Sequence, residues 1–367
     1  MTTGFARETR PTRRAAPERA GAIGGLASAL CAFSDRCPEV VGGRRARFCD
    51  MSTAAGTHTP SSAYRTVSLL SDLGRVDESS GVIESVVRDL APHAAIIHLT
   101  HEVPAHDVRA GSLALARAIG FVPSGVVLAA VDAGPWCDRP MIAVEVADAQ
   151  GVLIGPDNGL LAPAVAMAGG AERTVVLDND EFHLALMGAP LPARDILAAV
   201  AAHLCNGVPL EQLGTLVDPN QLLPGMVPLA RPLSPDTPEA GYEAGVLCDV
   251  LWVDRFGACQ LNLGPDDLPS WAFGVGSRFL MRTVETGVGP TESSVVRTVE
   301  RVPHAGSLGA GSIGLADDPY GMVALVLERR SAAEELGLSA GDQLVLEPLD
   351  GTDTGGASVP VTLRPSR

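Results

Sequence analysis

An α/β N-terminal domain with a mostly parallel sheet, followed by a smaller all-β domain or barrel, is the fold class that the sequence predicts. Three observations predict it. Between about residues 64 and 222, apolar runs alternate with helical segments, the pattern of βαβ units. Residues 223–242 then carry five prolines, Pro224, Pro228, Pro232, Pro235 and Pro238, as a linker does. Beyond them come short β-type runs separated by Gly, Pro and Asp turns.

Residues 66–70, 95–99, 126–131 and 152–154 are apolar runs of strand length. Segment 78–90 sets Val82, Val86, Val87 and Leu90 at helical spacing, and segment 194–204 does so with Ile196, Leu197, Val200 and Leu204. These helices should cover the sheet. After the linker, residues 245–253, 259–263, 279–284, 294–299 and 323–327 read as antiparallel strands, and Ser331 to Leu336 reads as a short helix stopped by Gly337. The expected organisation is a disordered extension over 1–62, the α/β domain over 63–222, the linker over 223–242, the all-β domain over 243–350 and a mobile tail over 351–367. The extension is rich in Arg, Ala, Gly, Ser and Thr without periodicity. Met51 opens a plausible shorter product, and Cys31, Cys37 and Cys49 match no familiar zinc spacing.

With 367 residues, 46% hydrophobic and 19% charged, the chain can bury two cores. Its 27 basic and 43 acidic residues give a formal charge of −16, which repels phosphate backbones and anionic lipid. Neither nucleic acid nor membrane is an expected partner. No apolar run approaches the roughly 18 residues of a spanning helix, and the Arg-rich N-terminus lacks the pattern of a signal peptide. A cytoplasmic protein is expected, with its seven cysteines reduced.

Polar clusters follow the four N-terminal strand runs. They are Ser71-Asp72-Leu73-Gly74 with Asp77, then Thr100-His101 to Asp107, then Asp132 to Arg139, then Gly155-Pro156-Asp157-Asn158-Gly159-Leu160-Leu161. Parallel strands would gather them at one sheet edge and predict a pocket there. His98, His101, His106 and Asp107 invite a metal reading, but the odd spacing of His98 and His101 should turn them to opposite faces. No metal is expected. The glycines at 21, 24 and 25 lack dinucleotide spacing and follow no strand.

These clusters, with Arg194-Asp195-Ile196 and Val253-Asp254-Arg255-Phe256-Gly257, recur in an order that resembles the S-adenosyl-L-methionine (SAM) hydroxide adenosyltransferase family, relatives of the fluorinases and chlorinases. The likeness covers about residues 65–348. It implies a C-terminal β-barrel domain and a homotrimer that binds SAM between neighbouring subunits. It also implies displacement at the ribose C5′ by water or hydroxide, with SAM as substrate and no cofactor.

Residue by residue, the resemblance implies a catalytic pair, Asp132 and Arg139, that positions water as part of an Asp-Arg-His triad. It gives Asp72 the ribose diol and sets Asp77 and Asp254 near the methionine amino group. Asn158 and Phe256 complete the substrate-binding set. A sulfonium loses its charge as methionine leaves, so no acid is needed at sulfur; the protein must align the substrate and deliver a partly desolvated nucleophile. An arginine beside Asp132 would keep that carboxylate ionised and oriented.

The chain departs from the pattern at four places. Pro192 stands where the family has the triad His, and proline has neither an ionisable group nor a backbone donor. Ala133-Gly134-Pro135-Trp136 replaces Pro-Gly-Val-Gly, Ala258 replaces an Asn, and Pro319-Tyr320 replaces a Ser/Arg carboxylate clamp. Three readings follow: a SAM hydrolase, an impaired SAM- or adenosine-binding protein of the same fold, and an adenosyl transferase using another nucleophile.

Overall fold

The computed structural model describes residues 64–349 apart from 148, 186–187, 226, 237–241, 243 and 285–293. The expected extension over 1–62, the start at Met51, the three cysteines before it and the tail over 351–367 lie outside the described residues.

The first sheet has seven strands: β1 (Thr66–Ser71), β2 (Ala95–Thr100), β3 (Gly125–Ala130), β4 (Met141–Val146), β5 (Gly151–Pro156), β6 (Arg173–Val176) and β7 (Thr215–Val217). Their order is β2-β1-β3-β5-β4-β6-β7. The four strands β2, β1, β3 and β5 are parallel, and β4, β6 and β7 extend the sheet antiparallel. Every residue of β3, β4 and β5 is buried, which is why β3 and β5 read as unbroken apolar runs.

Alternate residues of β1 feed two cores. Val67 and Leu69 face α1 (Ser79–Leu90) and the later helical layer, meeting Ile83, Val87, Leu197 and Val200. Leu70 joins the other face with Leu115 and Ile119 of α2 (Val108–Ile119) and Ala164 of α3 (Ala162–Met167). The later layer opens as a π-helical turn, Ala193–Ala198, and continues as α4 (Ala199–Cys205). The helices therefore cover both sides of the sheet.

The second sheet contains β8 (Arg231–Leu233), β9 (Gly245–Val253), β10 (Cys259–Leu261), β11 (Arg278–Val284), β12 (Val296–Arg301), β13 (Ile313–Asp317), β14 (Val323–Leu327) and β15 (Gln343–Pro348). The run β10-β14-β13-β12-β11-β15-β9 closes because β9 also pairs with β10. The result is a seven-stranded barrel around Phe279, Met281, Leu315, Leu325 and Leu344. β8 lies within the proline-rich 223–242 stretch and adds to β9 as an edge, where Pro232 needs no ladder donor. One expectation is corrected here: β12 and β13 are parallel, because the chain from Val302 to Ser312 returns to the end at which β12 began before re-entering the sheet. The short helix α5 (Ala332–Leu336) follows β14. Ser331 accepts from the Glu334 N–H, and Gly337 ends the helix at φ 66°.

Helix α2 also packs on the barrel. Arg109 donates to the Val250 carbonyl at 3.2 Å, and Leu113 meets Leu251 and Met322. The Arg117 guanidinium lies over the Trp252 ring at 4.9 Å and the Tyr320 ring at 5.6 Å, and burial lowers its pKa. Among the described residues, no helix is long and apolar enough to cross a membrane.

Candidate active site

The chain leaves β1, places β2 on one side of it, and then places β3 on the other. This reversal is the switch point where α/β sheets leave a crevice at the C-terminal strand ends. Ser71 pairs with Ala130, so β1 and β3 end level, and Asp72 and Asp132 follow at adjoining tips.

Asp72 organises that edge through one oxygen. Its Oδ2 accepts the backbone N–H of His106 at 2.9 Å and that of Asp132 at 3.1 Å. Both residues adopt positive φ, 63° for His106 and 57° for Asp132. Non-glycine residues seldom enter this region, though Asp and His are among those that do. The side chains then meet, with Nδ1 of His106 2.7 Å from Oδ1 of Asp132. A carboxylate only accepts, so Nδ1 carries the proton and Nε2 is the ring's acceptor. The hydrogen bond to Asp132 raises the His106 pKa, reinforced by the Asp132 and Asp72 charges. Both side chains are open to water, 76% and 44% exposed.

Asn158, in the loop after β5, fixes the same edge from the next strand. Its Nδ2 donates to the Val131 carbonyl at 3.1 Å, and its Oδ1 accepts the Leu160 N–H at 3.1 Å. The neighbouring Asp157 accepts the Leu223 N–H at 2.9 Å, tying this loop to the proline-rich stretch.

Arg139 is not brought to Asp132. It lies 3.7 Å from Asp138 and is half exposed, so the carboxylate expected to pair with arginine pairs instead with His106. Pro192 is buried, and the following Ala193 N–H donates to the Ala133 carbonyl at 3.3 Å. Position 192 therefore adjoins the Asp132 turn. His183 pairs with Asp180 at 3.3 Å.

Asp77 is exposed and accepts the Ser79 N–H at 3.0 Å, a bond that lowers its pKa. Asp254 accepts the Phe256 and Ala258 N–H groups, each at 2.8 Å, and so builds the β9–β10 turn. Phe256 at the tip of that turn is 77% exposed. Among the described residues, no hydrogen bond or ion pair joins Asp77, Asp254 or Phe256 to the Asp72–His106–Asp132 cluster. Two recesses of about 420 and 230 Å³ lie on the barrel, beside Arg330 and Arg297, away from the strand tips.

The histidine expectation is corrected. His98 and His101 do not diverge: Nδ1 of His98 is 2.8 Å from Nε2 of His101. The cause is a bulge, since Leu69 pairs with His98 while Leu70 pairs with Thr100, leaving an extra residue that breaks the strand alternation. His101 then reaches Ser71 Oγ at 2.7 Å, and His98 reaches Glu84 at 3.1 Å. Burial, then the charges of His98 and Arg75, lowers the His101 pKa. Among the described residues, no group of three or more His, Cys, Asp or Glu is arranged to hold a metal ion.

His106 is the residue that sequence reasoning did not assign to the site. Its signal was its place immediately before Asp107, whose side chain caps α2 by accepting the Ala110 N–H at 2.9 Å. Where such a cap starts a helix at a strand tip, the preceding residue is delivered to the edge.

Comparison with known proteins gives three findings. Residues 67–214 match the family model of the SAM hydroxide adenosyltransferase N-terminal domain. The (R)-S-adenosyl-L-methionine hydrolase of Salinispora tropica is 35% identical over 278 residues, covering 76% of this chain and 96% of that protein. That of Thermus thermophilus is 32% identical over 289 residues, covering 76% and 97%. A solved structure of an uncharacterized conserved protein from Thermotoga maritima matches with a TM-score of 0.64 at 25% identity, over 76% of this chain and 99% of its own.

Proposed function

The chain belongs to the SAM hydroxide adenosyltransferase family, and on that premise we propose that it hydrolyses SAM to adenosine and L-methionine, with water attacking the ribose C5′. The observation that carries this reading is the meeting of Asp72 and Asp132 at the switch point of the sheet. As the C5′–S bond breaks, its electron pair passes to sulfur and the sulfonium charge vanishes. The protein's tasks are alignment of the substrate and delivery of the nucleophile.

Asp72 uses Oδ2 for the two backbone donors, which leaves Oδ1 to accept a ribose hydroxyl. Asp132 orients the attacking water, and Asn158 holds the turn that presents it. Asp77 and Asp254 offer carboxylates to the methionine ammonium, and Phe256 offers an apolar wall. The solvent exposure of His106, Asp132 and Phe256 fits a homotrimer in which a neighbour's barrel covers the strand tips and Arg139 turns to Asp132. The reaction consumes SAM as substrate and calls for no cofactor, nucleic acid or membrane.

A second reading, binding of SAM or adenosine without turnover, is favoured by the buried Pro192 beside Ala133. One experiment separates the two. Purified protein is incubated with SAM, adenosine is followed by chromatography, and binding is followed by calorimetry. Turnover supports hydrolysis, saturable binding without turnover supports the second reading, and neither result removes both.

A further inference from the structure

The chain lacks an imidazole at position 192, yet an imidazole already stands on the Asp132 carboxylate. We infer that His106 supplies the missing group: Nε2 of His106 takes the proton of the attacking water while Asp132 holds Nδ1–H. This inference rests on the hydrolytic reading given under Proposed function.

Position 192 adjoins the Asp132 turn from one side, through the hydrogen bond from the Ala193 N–H to the Ala133 carbonyl. His106 arrives from the other side, with Nδ1 2.7 Å from Oδ1 of Asp132. Pro192 is buried and carries no proton-accepting group, so among the described residues the imidazole set on Asp132 is that of His106. Its position is built in. The His106 backbone is held at φ 63° by its N–H bond to Asp72, the carboxylate that also holds the Asp132 N–H. The ring itself supports no core, being 76% exposed, and is accessible to water.

The chemistry balances. Water oxygen forms the bond to C5′, the C5′–S pair goes to sulfur, and one water proton moves to Nε2 and then to solvent. Asp132 stays ionised and keeps the ring in the tautomer whose free lone pair is on Nε2, as an orienting carboxylate does in other acid–base sites. The charged groups facing the ring are Asp132 and Asp72, and both raise its basicity.

The test is His106→Asn in the full-length protein. Asn tolerates positive φ and can offer an amide donor toward Asp132, but it has no basic nitrogen. The expected result is a kcat reduced about 10²- to 10⁴-fold with KM little changed, and loss of the acidic limb of the pH profile. Adding Pro192→His to this variant should restore part of kcat, whereas Pro192→His alone should give no gain. Calorimetric SAM binding and a melting curve check that the variant is folded. Wild-type kcat in His106→Asn overturns the inference, and so does a reduced kcat whose acidic limb persists. A wild-type protein that binds SAM but releases no adenosine instead overturns the hydrolytic reading, and this inference with it.

Discussion

The backbone N–H of Asp132 donates to Oδ2 of Asp72 at 3.1 Å, so the tips of β1 and β3 form one unit. The carboxylate proposed to hold the ribose through Oδ1 thereby shapes the neighbouring turn through Oδ2. The two residues should not behave independently. In a double-mutant cycle of Asp72→Ala and Asp132→Asn, transition-state energies from kcat/KM should depart from additivity by about 0.5–3 kcal/mol. Simple additivity would show that the hydrogen bond does not couple them.

Asp132→Asn keeps the volume of the side chain but removes the charge that holds His106 and that is proposed to orient the water. Turnover should fall about 10²- to 10⁴-fold while SAM affinity by calorimetry stays near wild type. Unchanged turnover would refute the role assigned to Asp132.

The pH dependence has two parts, from histidines shifted in opposite directions, and both activity and stability rise with pH. The His106 pKa lies above its ordinary value because of Asp132 and Asp72, and only the neutral ring can accept a proton. The rate kcat/KM should therefore rise with pH, with its midpoint above about 6.5. His101 is shifted the other way, by burial and then by His98 and Arg75. Its neutral form is favoured in the fold, so its contribution to stability is present above the unfolded value and is lost as pH falls through the folded one. His203, lowered by burial, acts in the same direction. Melting temperature should drop on going from about pH 7 to about pH 5, and His101→Gln should flatten that slope. An equal slope in the variant would show that another group governs it.

Asn158→Ala removes both the donor to the Val131 carbonyl and the acceptor of the Leu160 N–H. Backbone groups of two buried residues, Val131 and Leu160, then lose partners, and urea unfolding should report a loss of about 1–3 kcal/mol. Asn158→Asp retains only the acceptor and should lie between wild type and Ala. If both variants equal wild type in stability and kcat, the clamp has no part in presenting Asp132.

The exposed Phe256 and the open strand tips give the proposed homotrimer a direct check. Specific activity should fall when the protein is diluted below its association range, in step with the loss of the trimer peak in sedimentation velocity. Full activity in a sedimenting monomer would remove the neighbour's barrel from the site.

Much of this was legible in the chain. The runs that became β1, β2, β3 and β5 were readable because buried parallel strands are apolar throughout, and α1 and α4 because their apolar stripes repeat at helical spacing. Strand β4 went unread: Glu145 interrupts its apolar run, and its compensation, a bidentate pair with Arg173 at 2.6 and 2.7 Å, comes from a strand far along the chain. The bulge at Leu99 was equally silent, since no local residue marks it, and it reversed the expected divergence of His98 and His101. In the barrel β9, β10, β11, β12 and β14 were visible, whereas β13, β15 and the parallel pairing of β12 with β13 were not.

The sequence by itself determined the fold class, the carboxylates at Asp72 and Asp132, and the absence of an imidazole at position 192, because residue type, periodicity and motif order are properties of the chain alone. Tertiary structure decided that β2 and β3 flank β1, and so that His106, and not Arg139, stands on Asp132. Contacts between residues 26 positions apart depend on which strands become neighbours. That choice is set by the packing of the whole sheet between its helices, and no local pattern carries it.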